Sequence, residues 1–579
     1  MFNNNIPRPE YPRPQMKRAD WINLNGEWDY SPDKSRSGMD RNLFTGKGFD
    51  EKIIVPFCRE SELSGIGDKD FCAAVWYKKQ ITLPDGWIAE GKDVVLNIGA
   101  CDYNTDVWVN GHHVGNHRGG YVSFSFTITD ALTSGENTVV IRAEDDTCAE
   151  RQPTGKQSFK HEPFGCFYTR TTGIWQTVWL ESVPKIRISN MKYYPCLEKQ
   201  TLFAEIYSEG VASGRVVHAK ASYNGKFMGE ASAPVKNHVA KLEIKLDELH
   251  LWEVGEGRLY DIELTLGDDK VSSYFGMREV ECIDGMMYLN GKKVFQRLVL
   301  DQGFYPDGIY TAPTLEVLKN DVDISMALGF NGARLHEKVF EPLFLEHCDR
   351  RGYIVWGEHA NWGMAHTGDT PFSDFLMEWQ EVLERDFNHP AIIGWCPLNE
   401  TPLSDRFDRR FSEKLADITR AYDNTRMYID ASGWYHYPGI TDIMDCHDYE
   451  QDPEKFKAKF DALERGEQYN IHYIYNSQEH DYWSSPTFVS EYGGIFWFEN
   501  GVPDGWGYGL PPATEEEFKA RFKGLTEALL FNSKIGALCY TQLTDVEQEQ
   551  NGFYAYNRKA KFDPEFFHSV LTQKAKIEE

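Results

Sequence analysis

Two glutamates each close an apolar run. One ends Ala391-Ile392-Ile393-Gly394-Trp395-Cys396-Pro397-Leu398-Asn399-Glu400, and the other lies in Thr487-Phe488-Val489-Ser490-Glu491-Tyr492-Gly493-Gly494. A carboxylate at the C-terminal end of a buried parallel strand is where a barrel enzyme keeps its chemistry. Two such groups on separate strands can face one another across a substrate. That is the requirement for acid-assisted cleavage of a glycosidic bond.

Other polar clusters close apolar runs in the same half of the chain: Asp301 with Gln302, Arg334 with His336, Glu358, Asp430, His447 with Tyr449, and Gln542 with Asp545. A single polar residue after a strand is usually a cap or a turn. Eight clusters on one face are harder to treat that way. Among Asp301, Glu358, Glu400 and Glu491, however, residue type alone does not select two catalysts, and Glu358 and Asp430 also suit structural anchors.

The elements that must position these groups follow from periodicity. From about residue 278 to 579, helical segments such as Thr314 to Leu328, Phe340 to Arg351 and Ser412 to Tyr422 separate eight short apolar runs. In order these are Val294 to Leu300, Gly332 to Leu335, Tyr353 to Trp356, Ile392 to Leu398, Met427 to Ile429, Ile443 to Cys446, Phe488 to Ser490 and Ala537 to Thr541. Eight βα units predict a C-terminal (β/α)8 TIM barrel. Residues 1–183 alternate with period two and carry turn dipeptides, which predicts an N-terminal β jelly roll or sandwich; Asn110-Gly111 is read as a hairpin turn leading toward a strand at Tyr121 to Phe124, with His112 and His113 at its tip. Gly173 to Leu180 is read as the last strand of this part. Residues 184–277 alternate similarly and predict an immunoglobulin-like β-sandwich, in architecture only.

Net charge is −28, from 61 Lys and Arg against 89 Asp and Glu, which disfavours nucleic acid and anionic lipid as partners. The first residues lack the apolar core of a secretory signal, and no apolar stretch is long enough to cross a bilayer, so a cytoplasmic location is expected. The 11 cysteines lie far apart without a close pair, which suits reduced, mostly buried thiols, with Cys396 read as packing. Aromatic residues make up 14% of the chain, enough for large cores and a few sugar-binding platforms. Neither His336-Glu337 nor any Cys/His grouping has zinc spacing.

The segment Arg385-Asp386-Phe387-Asn388-His389-Pro390 continuing to Asn399-Glu400 resembles the acid/base signature of glycoside hydrolase family 2, the family of β-galactosidases, β-glucuronidases and β-mannosidases. The front part is similar too, through Trp76-Tyr77-Lys78-Lys79, Val107 to Gly111, Val114 to Tyr121 and Gly173-Ile174-Trp175-Gln176. The resemblance implies a retaining mechanism with Glu400 as acid/base, its pKa raised by an ionised Glu491, and Glu491 as nucleophile. It also implies Arg334 paired with Glu491, Asn399 on the sugar 2-hydroxyl, and Tyr449 donating to the nucleophile. No cofactor is required, although Mg²⁺ or Na⁺ near the site occurs in the family, and oligomers are common there.

The sequence departs from the family pattern in three places. After the first barrel strand it reads Leu300-Asp301-Gln302-Gly303-Phe304, so Asp301 either grips a diol or caps its loop, and Gln302 and Trp362 become candidate substrate contacts. After the second it reads Arg334-Leu335-His336, which moves the histidine by one position. Near the end, Glu549-Gln550-Asn551 stands where β-glucuronidases present an Asn-x-Lys pair to the substrate carboxylate. A glutamate there repels a uronate. The expectation is an exo-acting enzyme on a neutral terminal sugar, first a β-galactoside. A β-glucuronide, β-mannoside, arabinofuranoside or galactofuranoside remains the alternative, as does a non-catalytic carbohydrate-binding protein.

Overall fold

The computed structural model describes residues 6–364, 370–401, 409–434, 436–437, 439–467, 486–498 and 505–579. The first five residues, part of the start read above for a leader, lie outside them. Three architectures follow one another along the chain. The first is a pair of antiparallel sheets of four and six strands. Its core joins inward residues such as Trp28, Tyr77, Leu96, Val107 and Ile141. The hairpin at Asn110-Gly111 forms, with both residues at positive φ (52° and 79°), as a tight two-residue turn needs. Its return strand is His112–Arg118 itself, and the next strand is Phe124–Thr127. The expected strand at Tyr121 therefore begins three residues later, and the two histidines open a strand. Gly173 to Leu180 likewise divides into Gly173–Ile174 and Val178–Pro184.

The second unit packs a three-stranded sheet on a four-stranded one around Ile206, Val217, Leu242, Ile262 and Leu264. Strands such as Val239–Lys245 alternate strictly between buried and exposed residues, so one face of each sheet meets the core and the other meets water.

The third unit is an eight-stranded parallel sheet curled as a TIM barrel. Its strands are β1 (Gln296–Asp301), β2 (Gly332–Leu335), β3 (Ile354–Glu358), β4 (Ile392–Cys396), β5 (Met427–Tyr428), β6 (Asp445–Asp448), β7 (Phe488–Gly493) and β8 (Ala537–Thr541). All eight of the expected runs contribute. Every described strand residue is buried, because the interior covers one face and helices the other. The helices are α1 (Leu315–Ala327), α2 (Pro342–Arg351), α3 (Thr370–Asp386), α4 (Arg409–Tyr422), α5 (Pro453–Glu464), α6 (Glu515–Leu530) and α7 (Pro564–Leu571). Their ends obey capping rules. Thr514 accepts from Glu517 N ahead of three acidic first-turn residues in α6, and Gly352 ends α2 at φ 65°.

Hydrogen-bonded order runs β5-β4-β3-β2-β1-β8-β7-β6, with no ladder between β5 and β6 among the described residues. Side chains close that seam. His436 lies 2.5 Å from Asp430 Oδ1 after β5 and 2.6 Å from Asp445 Oδ1 at the start of β6, and Asp442 Oδ2 accepts from Tyr428 N at 2.8 Å. Seven of the eleven cysteines are buried, Cys396 among them.

Candidate active site

Both glutamates stand at the C-terminal mouth of the barrel. Glu491 lies within β7 and is buried, with Arg334 Nη1 on Oε1 at 3.0 Å and the Tyr449 hydroxyl on Oε2 at 2.5 Å. Arg334, from β2, is the hub. Its Nε donates to Glu358 Oε1 at 2.6 Å, its Nη1 also to the Ser490 carbonyl at 2.9 Å, and its Nη2 to Asn399 Oδ1 at 3.1 Å. A planar guanidinium is the one side chain that can hold these groups together in a fixed fork. Glu358 is thus the anchor that orients Arg334, and it also receives His336 Nδ1 at 3.1 Å. His336 Nε2 points back toward Glu491 at 4.0 Å. Burial drives His336 well below the usual histidine range, helped by the charges of Lys156 and Arg334, so it stands as a neutral ring.

Glu400 follows β4 with φ 42°, a left-handed backbone that costs a non-glycine residue energy and turns the carboxyl into the mouth. Its amide donates to Ser432 O at 2.9 Å, which holds the turn. The carboxyl is hydrogen-bonded to His447 Nδ1 at 2.7 Å, and His447 Nε2 lies 3.4 Å from Glu491 Oε1. Burial raises the Glu400 carboxyl, but the His447 bond and charge, with Lys156 and Arg334, outweigh it and carry it below the ordinary glutamate value. Burial disfavours charged His447, but Glu491 and Glu400 raise it. This corrects the expectation that Glu491 raises the Glu400 pKa. The two shifts run in opposite directions across one hydrogen bond, so Glu400 and His447 titrate as a pair in which the imidazole is the more basic member.

The remaining predicted residues divide. Asn399 is buried; its Oδ1 is held by Arg334 while its Nδ2 has no partner among the described residues. Tyr449 stacks on Tyr508 with centroids 3.5 Å apart and also contacts Thr541 Oγ1 at 3.0 Å. Trp362 donates from Nε1 to Asn399 O at 3.1 Å. Asp301 turns to its own loop and accepts from Gly303 N at 2.9 Å, the capping alternative; burial first, then Asp321, pushes its carboxyl up to about 7. Gln302 is buried, and neither side-chain polar atom has a partner among the described residues. Among the described residues neither side chain hydrogen-bonds the glutamate cluster.

Residue type and spacing under-read His447. Alternation along β6 puts it on the same face as Asp445, and its place beside Tyr449 at the strand end was the available signal. Nothing local marked Lys156, a residue of the first unit that reaches the same mouth.

Glu400, His447 and Glu491 place one ligand atom each within 4.8 Å of one another, the cluster among the described residues with the donors for a cation. It does not fit a resident ion. These carboxylates are already bonded to His447, Arg334 and Tyr449.

Comparison with known proteins places the chain in a family. Residues 22–184 match the family model for the glycosyl hydrolases family 2 sugar binding domain, and residues 280–500 match that for the glycosyl hydrolases family 2 TIM barrel domain. A putative beta-glucuronidase of Formosa agariphila is 28% identical over 426 residues, covering 70% of this chain and 50% of that protein. A beta-galactosidase of Thermoanaerobacter pseudethanolicus is 25% identical over 431 residues, 70% of this chain and 55% of that one. The chain thus spans about half the length of these curated relatives. The solved Lactobacillus rhamnosus beta-glucuronidase superposes with a TM-score of 0.81 at 18% identity, covering 98% of this chain and 99% of that one, which speaks for the fold. With the first and third of its units matched by models of one family, this chain belongs to family 2 of the glycosyl hydrolases.

Proposed function

We propose that the chain is an exo-acting retaining glycosidase that removes a neutral terminal sugar, with a β-galactoside as the first substrate. The carrying observation is the proximity of Glu400 and Glu491, with carboxylate oxygens within 4.8 Å. Retaining enzymes hold their carboxyls roughly 5–5.5 Å apart, whereas inverting ones leave roughly 6.5–9.5 Å for a water. Glu491 attacks the anomeric carbon as the bond to the leaving oxygen breaks, and that oxygen takes the proton of the Glu400–His447 pair. Arg334 and Tyr449 hold the Glu491 carboxylate in line. Once Glu491 is esterified, Glu400 removes a proton from water, which attacks the same carbon and releases the sugar with its configuration retained. The Nδ2 of Asn399, unpartnered among the described residues, supplies a donor for the 2-hydroxyl oxygen, which fixes the orientation of that hydroxyl beside the reacting carbon.

A neutral sugar is supported by Glu549, whose buried carboxylate accepts from the Tyr168 hydroxyl at 2.5 Å and from Asn551 Nδ2 at 3.1 Å at the position of the family's uronate clamp. Several relatives are named beta-glucuronidases, which makes the glucuronide the necessary comparison. Initial rates on aryl β-galactoside, β-glucuronide, β-mannoside and α-L-arabinofuranoside test the reading, with product configuration followed by NMR. Turnover confined to the glucuronide would remove the neutral-sugar part; a wild type inert on the whole panel would favour a binding protein.

A further inference from the structure

Lys156 is a cation of this mouth whose donors have no partner among the described residues. Its loop is pinned to the barrel, because Thr154 N and Gly155 N donate to Trp362 O at 2.8 and 3.1 Å, and it is held within its own unit by Tyr168 N, which donates to Lys156 O at 2.8 Å. The side chain is 7% exposed. Its ammonium lies 4.3 Å from the centroid of the Trp362 ring, and it makes no hydrogen bond or ion pair with any described residue. Burial opposes its charge, yet Cys166, Glu549, Glu491 and Glu400, the groups that face it, raise its pKa above the usual lysine value. A buried ammonium without a hydrogen-bond acceptor is costly. One facing both glutamates of the mouth has its donors aimed where a substrate must lie.

We propose that Lys156, lent to the barrel by the N-terminal unit, is a substrate-binding and specificity-determining residue that donates to a ring hydroxyl of a neutral terminal sugar. This rests on the glycosidase reading above. Three carboxylates already face the ammonium, so an incoming anionic substituent would meet Glu400, Glu491 and Glu549 as well as Lys156. A hydroxyl instead accepts from the ammonium without adding charge, and donates its own proton to one of the carboxylates. The seat of Lys156 on Trp362 also covers one face of that ring, which makes the tryptophan a support for the lysine.

The test compares wild type, Lys156→Met, which keeps the apolar stem, and Lys156→Arg on the best neutral aryl glycoside and its singly deoxygenated analogues. Thermal unfolding of each variant accompanies the kinetics. Lys156→Met is expected to lose roughly 10- to 100-fold in kcat/KM, the loss of one hydrogen bond from a charged donor, with an unfolding midpoint close to wild type. On one deoxygenated analogue, already poor with wild type, the substitution should cost little more, because the partner hydroxyl is gone. An unchanged kcat/KM, or an equal loss on every analogue, overturns the proposal and leaves the glycosidase reading standing. A loss confined to glucuronide hydrolysis also overturns it, since Lys156 would then read an anion. Should the wild type hydrolyse nothing, the glycosidase reading falls and calorimetry with free galactose decides for Lys156. Binding weakened 10- to 100-fold in Lys156→Met supports it; equal affinity, or no binding to either protein, overturns it.

Discussion

At the residue scale, Glu400 and Glu491 are told apart by what donates to them. Glu491 takes a guanidinium and a phenol, the setting of an anion that attacks. Glu400 takes the imidazole of His447, the setting of a group through which a proton passes. Glu400→Gln and Glu491→Gln are each expected to lower kcat by about 10²–10⁴ or more on aryl glycosides, with Glu400→Gln sparing substrates whose leaving group needs no proton. Steady-state kinetics on leaving groups of graded acidity check this; equal losses on all of them would contradict the division of labour. The pair also predicts a pH profile. His447 is raised above 6.5, so the pair's proton is kept below that value and lost as pH rises through the raised pKa. The alkaline limb of kcat/KM should therefore lie above pH 6.5, and His447→Gln should move it. A limb that stays put in that variant would separate His447 from the proton.

At the element scale, the short β5 leaves the barrel joined to β6 by side chains, with His436 between Asp430 and Asp445. Burial opposes the charge of His436, but the two aspartates push its pKa up to about 10 from 6.5. A raised pKa contributes stability that is fully present below 6.5 and is lost as pH rises toward 10. The contribution is of order several kcal/mol. Thermal midpoints measured from pH 6 to 10 should fall across that window in the wild type and fall less in His436→Gln, which starts lower. Parallel curves would show that the seam is held by something else.

At the scale of the whole molecule, the mouth is built by two units. The loop around Lys156 meets the barrel through Trp362 O, Tyr168 bonds to Glu549, and Thr169 N donates to Glu547 Oε2 at 2.9 Å. Gly155 sits at φ 57°, and a Cβ there would come 2.2 Å from Glu337 O, so nothing but hydrogen fits. Gly155→Ala should displace the loop, lowering kcat/KM by roughly 100-fold (the cost of misplacing a substrate contact by about 1 Å) while the far sandwich unfolds as before. Kinetics paired with calorimetry would decide it; a fully active Gly155→Ala would mean that the loop is not part of the site.

Much of this protein was legible in its chain. Eight buried parallel strands betray themselves as apolar runs, because both faces of each strand are covered, and a polar residue that ends such a run must emerge at the barrel mouth. That rule brings Arg334, Asn399, Glu400, Tyr449 and Glu491 to the mouth together with Asp301 and Gln302, and only the family resemblance separates them and implies their roles. Where hairpins cross water, as at His112–Arg118, alternation is weaker and the strand was misplaced. Partners chosen across the fold were beyond sequence. The choice of Asp301 for its own loop, the pairing of Glu400 with His447, the orientation of Arg334 by Glu358, and the arrival of Lys156 from some 240 residues upstream of Glu400 depend on side-chain directions at long range, which periodicity does not encode.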